Sequence, residues 1–166
     1  MGIISKKIEQ VFKEQDVFFK IELILNIECV VGYIKDHTFF GRAEIITFII
    51  IAETNENVTE EFIQQFSEAG FKYGKENYDG KGIGNNSGLV TISVLIASDI
   101  EQGAKKFCKR AQKPQWASRK FSMIYDNKQH EFFPSYGIQF WGFLIFPYYK
   151  KMLNYTIDCI KKAIRK

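Results

Sequence analysis

Apolar residues recur at helical spacing near the start of the chain. Over residues 3–15, Ile4, Ile8, Val11 and Phe12 share one face and Lys and Glu the other, which predicts a short amphipathic helix. The period then changes to two. Phe19, Ile21, Leu23, Leu25, Ile27, Cys29 and Val31 alternate with Lys20, Glu22, Ile24, Asn26 and Glu28, the pattern of one long strand with a buried and a wetter face. Lys35-Asp36-His37-Thr38 reads as a turn. Residues 42–53 follow as a strand that is apolar on both faces from Ile45 to Ala52, as expected at the centre of a sheet.

Asn57 is placed to cap a helix over 58–69, with Val58, Phe62, Phe66 and Ala69 on its stripe and Gly70 as its stop. Residues 71–77 read as a short strand, 79–88 as a glycine-rich loop and 89–97 as a β-branched strand. Ser98-Asp99-Ile100-Glu101 has capping-box spacing and opens a helix that runs to about Gln112 before Pro114. Residues 120–125 and 129–133 form a hairpin around Asp126-Asn127-Lys128. A strand over 138–146 comes next, and Pro147 suits the first turn of a last helix with Met152, Thr156, Ile160, Ala163 and Ile164 as its stripe.

These elements predict an α+β fold in which helices cover a largely antiparallel sheet. Strand, helix, strand, strand, helix, strand from residue 42 to 126 is the ferredoxin-like order. An N-terminal helix and strand and a C-terminal strand and helix extend that core. The 166 residues contain no repeat or linker and read as a single domain, residues 1–166. Sixteen Phe, 8 Tyr and 2 Trp supply a large apolar interior.

Charge changes the picture more than composition does. Residues 1–70 carry 6 Lys/Arg against 12 Asp/Glu, and residues 71–166 carry 17 against 7, so a net charge of +4 hides an acidic front and a basic back. Such a split suits an anionic partner for the basic half, or opposite faces that pair between subunits. Ile45–Ala52 and Phe140–Pro147, the longest uncharged apolar runs, are far shorter than the roughly 20 residues of a spanning helix, and no membrane partner is expected. Lys6, Lys7 and Glu9 interrupt any signal sequence. Cys29, Cys108 and Cys159, odd in number and without CxxC spacing, fit free thiols in a reducing, cytoplasmic setting.

Two stretches carry candidate chemistry. The basic one comprises Lys105, Lys106, Lys109, Arg110, Lys113, Trp116, Arg119 and Lys120, with no acid between 102 and 125. Lys105, Lys109 and Lys113 are four apart on a helix, and an aromatic among cations can stack on a base. The blander reading is a solvated helix face. The second stretch is Gly80, Lys81, Gly82, Ile83, Gly84, Asn85, Asn86, Ser87 and Gly88. Its glycines allow close backbone approach to phosphate, yet the spacing fits neither a P-loop nor a dinucleotide fingerprint, and a plain surface connection explains it as well. Strand 89–97 has no aromatic residue, which disfavours base stacking on the sheet face.

Catalytic and metal patterns are weak. His130-Glu131 opens like a zinc-protease helix, but Pro134 stands where the second His belongs. Cys108, between Lys106, Lys109 and Arg110, is the nearest approach to a reactive thiol. The chain therefore reads as a non-catalytic binding module with a basic surface for an anionic partner such as nucleic acid, without cofactor. The alternatives are a homo-oligomeric interaction protein, and an enzyme or sensor holding a small-molecule phosphate or nucleotide at the 80–88 loop.

Overall fold

The computed structural model describes residues 2–38, 43–84, 86–110, 113, 115–135 and 146–165. Six strands form one mixed sheet in sequential order. The strands are β1 (Phe18–Ile24), β2 (Ile27–Thr38), β3 (Ala43–Glu53), β4 (Ser87–Ala97), β5 (Ser118–Asp126) and β6 (Glu131–Pro134). The helices are α1 (Ile3–Glu14), α2 (Glu60–Glu76), α3 (Gln102–Lys109) and α4 (Phe146–Arg165). The β1/β2, β2/β3 and β5/β6 pairs are antiparallel, whereas β3/β4 and β4/β5 are parallel. The α+β expectation holds.

The chain has a helix layer on each face of the sheet. Ile8, Val11 and Phe12 of α1 and Met152 and Ile160 of α4 pack on Ile49, Ile51 and Ile92. Ile63 and Phe66 of α2 and Ala104 and Cys108 of α3 pack on Ile46, Phe48, Ile50 and Leu95 from the other side. Central strand β3 therefore buries both faces, which is why its sequence is continuously apolar. The Glu53 carboxylate, at the end of β3, accepts the Ile4 amide at 3.0 Å and supplies α1 with an anionic N-terminal partner.

The ferredoxin-like core is not the arrangement found. Residues 71–77 extend α2 instead of forming a strand, apart from Asn77 at its cap. Gly70, which reads as the helix stop, and Gly74 are the places where α2 approaches β4. A Cβ at Gly70 would lie 2.5 Å from Ser93 Oγ, and one at Gly74 would lie 2.6 Å from Thr91 Cγ2. With that strand gone, α2 and α3 become crossovers between neighbouring parallel strands. Thr59, not Asn57, caps α2 by accepting the Phe62 amide at 3.1 Å.

Two further expectations change. The single long strand is a hairpin, because Leu25 and Asn26 both adopt left-handed backbone, with φ of 52° and 60°. The stretch expected to turn at 35–38 is instead the end of β2, paired with β3. Helix α3 starts at Gln102 with Glu101 as a cap that makes no side-chain bond to it, and ends at Lys109. The 120–125 and 129–133 hairpin is present as β5 and β6. The strand expected over 138–146 falls mostly on 136–145, outside the described residues, and Phe146 already belongs to α4.

Candidate nucleic-acid interface

The basic stretch is divided by its surroundings. Lys105 is buried; its ammonium lies 2.9 Å from Asp126 Oδ2 and 3.3 Å from Gln129 Oε1, above the Phe133 ring. Burial alone would raise the Asp126 pKa, but Lys105 and the Gln129 and Lys128 amides together hold it below the usual carboxylate value. Arg110 pairs with Glu60 of α2 at 2.8 Å, and Lys120 pairs with Glu68. These three cations are held by the protein's own carboxylates. Lys106, Lys109 and Lys113 are exposed, with the Lys109 ammonium 5.4 Å from the centre of Phe133.

Trp116 stands at the turn into β5 and is 83% exposed, the most exposed of the large apolar side chains described. Its indole lies against the glycine-rich loop: a Cβ on Gly84 would fall 2.4 Å from the indole nitrogen, and Gly84 itself has φ of +100°. Three residues on, the Arg119 guanidinium sits over the Tyr149 ring of α4, 5.9 Å from its centre. Burial raises the Tyr149 pKa, and the Arg119 charge offsets part of that rise. A cleft of about 190 Å³ lies alongside, with Ile45, Gly84, Asn86, Gly88, Ala117 and Tyr149 in its walls. Lys105, Arg110 and Lys120 are thus structural, while Trp116 meets the loop and Arg119 packs on Tyr149.

The loop is tied down at several points. The Gly84 amide donates to Ser87 O at 2.9 Å, the Glu44 amide donates to Asn86 O at 2.9 Å, and Tyr78 bonds to Ser87 Oγ. Lys81, Gly82 and Asn86 are exposed, Ser87 is buried as the first residue of β4, and Gly88 follows it in the strand. Asn85 lies outside the described residues. At the Gly80 end the neighbours are acidic. Glu44 Oε1 would lie 2.9 Å from a Cβ there, its other oxygen is 3.3 Å from Lys35, and Asp79 accepts from Tyr33 at 2.8 Å. A phosphate would meet carboxylates at Gly80 and the Trp116 indole at Gly84.

Nothing in the sequence pattern predicted the contact between Trp116 and Gly84, 32 positions apart. The Glu44–Lys35 pair was equally invisible, because Lys35 reads as part of a turn, whereas it lies on β2 beside β3. Among the described residues no three His, Cys, Asp or Glu side chains gather as a metal site would require. His130 Nδ1 is 2.9 Å from the Tyr125 hydroxyl. Cys29, Cys108 and Cys159 are buried, and burial pushes the Cys108 thiol up to about 12, far from a reactive thiolate. No described helix is long and apolar enough to cross a membrane.

No family model matches the chain, and no curated protein matches it. Among solved structures it is similar to one described as "Structure of EndoMS in apo form", with 14% sequence identity and a TM-score of 0.31. The match covers 69% of this chain and 48% of that one, about half its length. A likeness this distant carries no argument about fold or activity.

Proposed function

We propose that the chain is a non-catalytic binding module for single-stranded nucleic acid, centred on Trp116. The observation that carries this reading is the exposed indole seated on Gly84, beside a cleft walled by Tyr149 and close to Arg119. An exposed aromatic face offers a base a stacking platform, worth about 1–3 kcal/mol per base. Lys113 and Arg119, on either side of Trp116 in sequence, would neutralise adjacent phosphates, and Lys106 and Lys109 would extend the track. Lys105, Arg110 and Lys120 are excluded because carboxylates of the same chain hold them. The carboxylates near Gly80 oppose a small-molecule phosphate at that end of the loop.

The test is fluorescence anisotropy of a labelled single strand titrated with protein across a range of salt. With so few free cations, the plot of log affinity against log salt should have a slope of only about −2 to −3, at roughly 0.7 per phosphate for single strands. Trp116→Ala should weaken binding about 10- to 100-fold and leave that slope unchanged, since it removes stacking and no charge. Lys113→Glu should weaken binding and flatten the slope. Absence of binding at low salt, or binding indifferent to Trp116→Ala, would overturn the reading.

A further inference from the structure

One edge of the sheet carries a second surface. Strand β1 has no strand beyond it among the described residues, and it is strongly apolar. Leu23 is 73% exposed, Phe18 62% and Ile21 39%, and Leu25 in the turn that follows is 47% exposed. Long apolar edge strands are uncommon in proteins that stay single, because their free amides and carbonyls template pairing with another chain.

The register of the hairpin shows which backbone groups are free. Ile24 and Ile27 flank its two-residue turn and so exchange hydrogen bonds; alternation then commits Glu22, Lys20 and Phe18 to Cys29, Val31 and Tyr33. Phe19, Ile21 and Leu23 therefore turn their N–H and C=O groups outward. From these facts we infer that β1 pairs antiparallel with β1 of a second copy, about a two-fold axis at Ile21.

The segment Phe18-Phe19-Lys20-Ile21-Glu22-Leu23-Ile24 is complementary to itself in this register. Ile21 faces the partner's Ile21 and Phe19 faces the partner's Leu23, so the outward-turned residues are the ones that exchange backbone bonds. Lys20 faces the partner's Glu22 on both sides of the axis, and Phe18 faces the partner's Ile24. Glu22 is already oriented by the Tyr73 hydroxyl, which donates to it at 3.3 Å. A shift of one residue would set Lys20 against the partner's Ile21 or Leu23 and lose both ion pairs, so charge selects the register as well as the partner. The outcome is a continuous sheet through two copies, with Ile21 and Leu23 of each forming one apolar stripe. The inference is independent of the nucleic-acid reading, which concerns the residues that lead into β4 and β5.

Sedimentation velocity across protein concentration tests it. A single strand pair buries a small interface, so a dissociation constant on the order of micromolar is expected. Ile21→Lys places two ammonium groups on the axis and should leave a monomer with an unchanged circular dichroism spectrum. Lys20→Glu and Glu22→Lys should each weaken the dimer about tenfold by opposing like charges at both symmetric sites, and the double swap should return to within about threefold of the original. The swap decides the matter even where Ile21→Lys disturbs folding. A monomer at all concentrations up to about 0.1 mM would overturn the inference. So would a dimer that ignores these changes, or a double swap no better than its singles.

Discussion

Lys105 illustrates how far one residue's role depends on its surroundings. Read along the chain it is the first of a row of cations; in the fold it is the counter-ion of Asp126, with both side chains almost fully buried. Removing one member of such a pair leaves the other as an uncompensated buried charge, and that desolvation cost exceeds the value of the pair itself. Lys105→Met should therefore lower unfolding free energy by about 3 kcal/mol, measured by urea denaturation. Adding Asp126→Asn should recover part of the loss, because an amide is far cheaper to bury than a carboxylate. A Lys105→Met variant as stable as the parent would mean that the pair is open to water. Lys113 and Trp116, a few residues later, have no such burial, and for this reason the same stretch of sequence yields both a core contact and a candidate binding surface.

At the scale of elements, legibility followed the strength of the periodic signal. Helices α1 and α4 and strands β3, β4 and β5 were plain because each buries a well-defined face or both faces. The β1–β2 hairpin was hidden because Leu25 is not a turn residue, and the alternation of apolar residues runs unbroken through it. In fact the two-residue turn inverts the phase, sending Phe19 toward α1 and Cys29 and Val31 toward α2. The sequence ends helix α2 too early because glycine normally stops a helix, whereas Gly70, the expected stop, and Gly74 here admit the side chains of Ser93 and Thr91. That explanation can be tested. Gly74→Ala gains about 1 kcal/mol of helix propensity but drives a methyl into a branched, buried side chain, so a net loss of about 1–2 kcal/mol is expected in thermal or urea unfolding. Thr91→Ser removes the methyl that is struck. The double variant Gly74→Ala, Thr91→Ser should thus be more stable than Gly74→Ala alone. If Gly74→Ala is stabilising by itself, the helix does not approach the sheet as closely as described. The candidate site was legible only in its ingredients: the aromatic and the glycine loop stood out separately, and their meeting depends on the parallel pairing of β4 with β5.

For the molecule as a whole, the acidic front and basic back meet within one chain. Asp36 pairs with Lys151, Glu60 with Arg110 and Glu68 with Lys120, each bond joining the first 70 residues to the rest. The charge split thus has an intramolecular use, and oligomerisation by opposite charged halves is not needed to explain it. The Asp36–Lys151 pair spans the greatest distance in sequence, 115 positions, at 2.9 Å. The hydrogen bond from Lys151, with help from the His37 amide, holds the Asp36 carboxyl below its ordinary value of 3.8 despite partial burial. A carboxyl with a depressed folded pKa favours the folded state above its unfolded value, and this benefit disappears as pH falls through the folded value. Asp36→Asn should consequently cost stability at neutral pH, by only about 0.5–1 kcal/mol because both side chains reach solvent. The difference from the parent should be constant down to about pH 5, shrink below pH 4 and vanish at the acid end. Urea midpoints measured from neutral to acid pH give that difference directly, and about 1 M salt should reduce its neutral-pH value by screening. A difference that persists at the acid end would assign the loss to packing of the substituted side chain instead of to the bridge between the two halves.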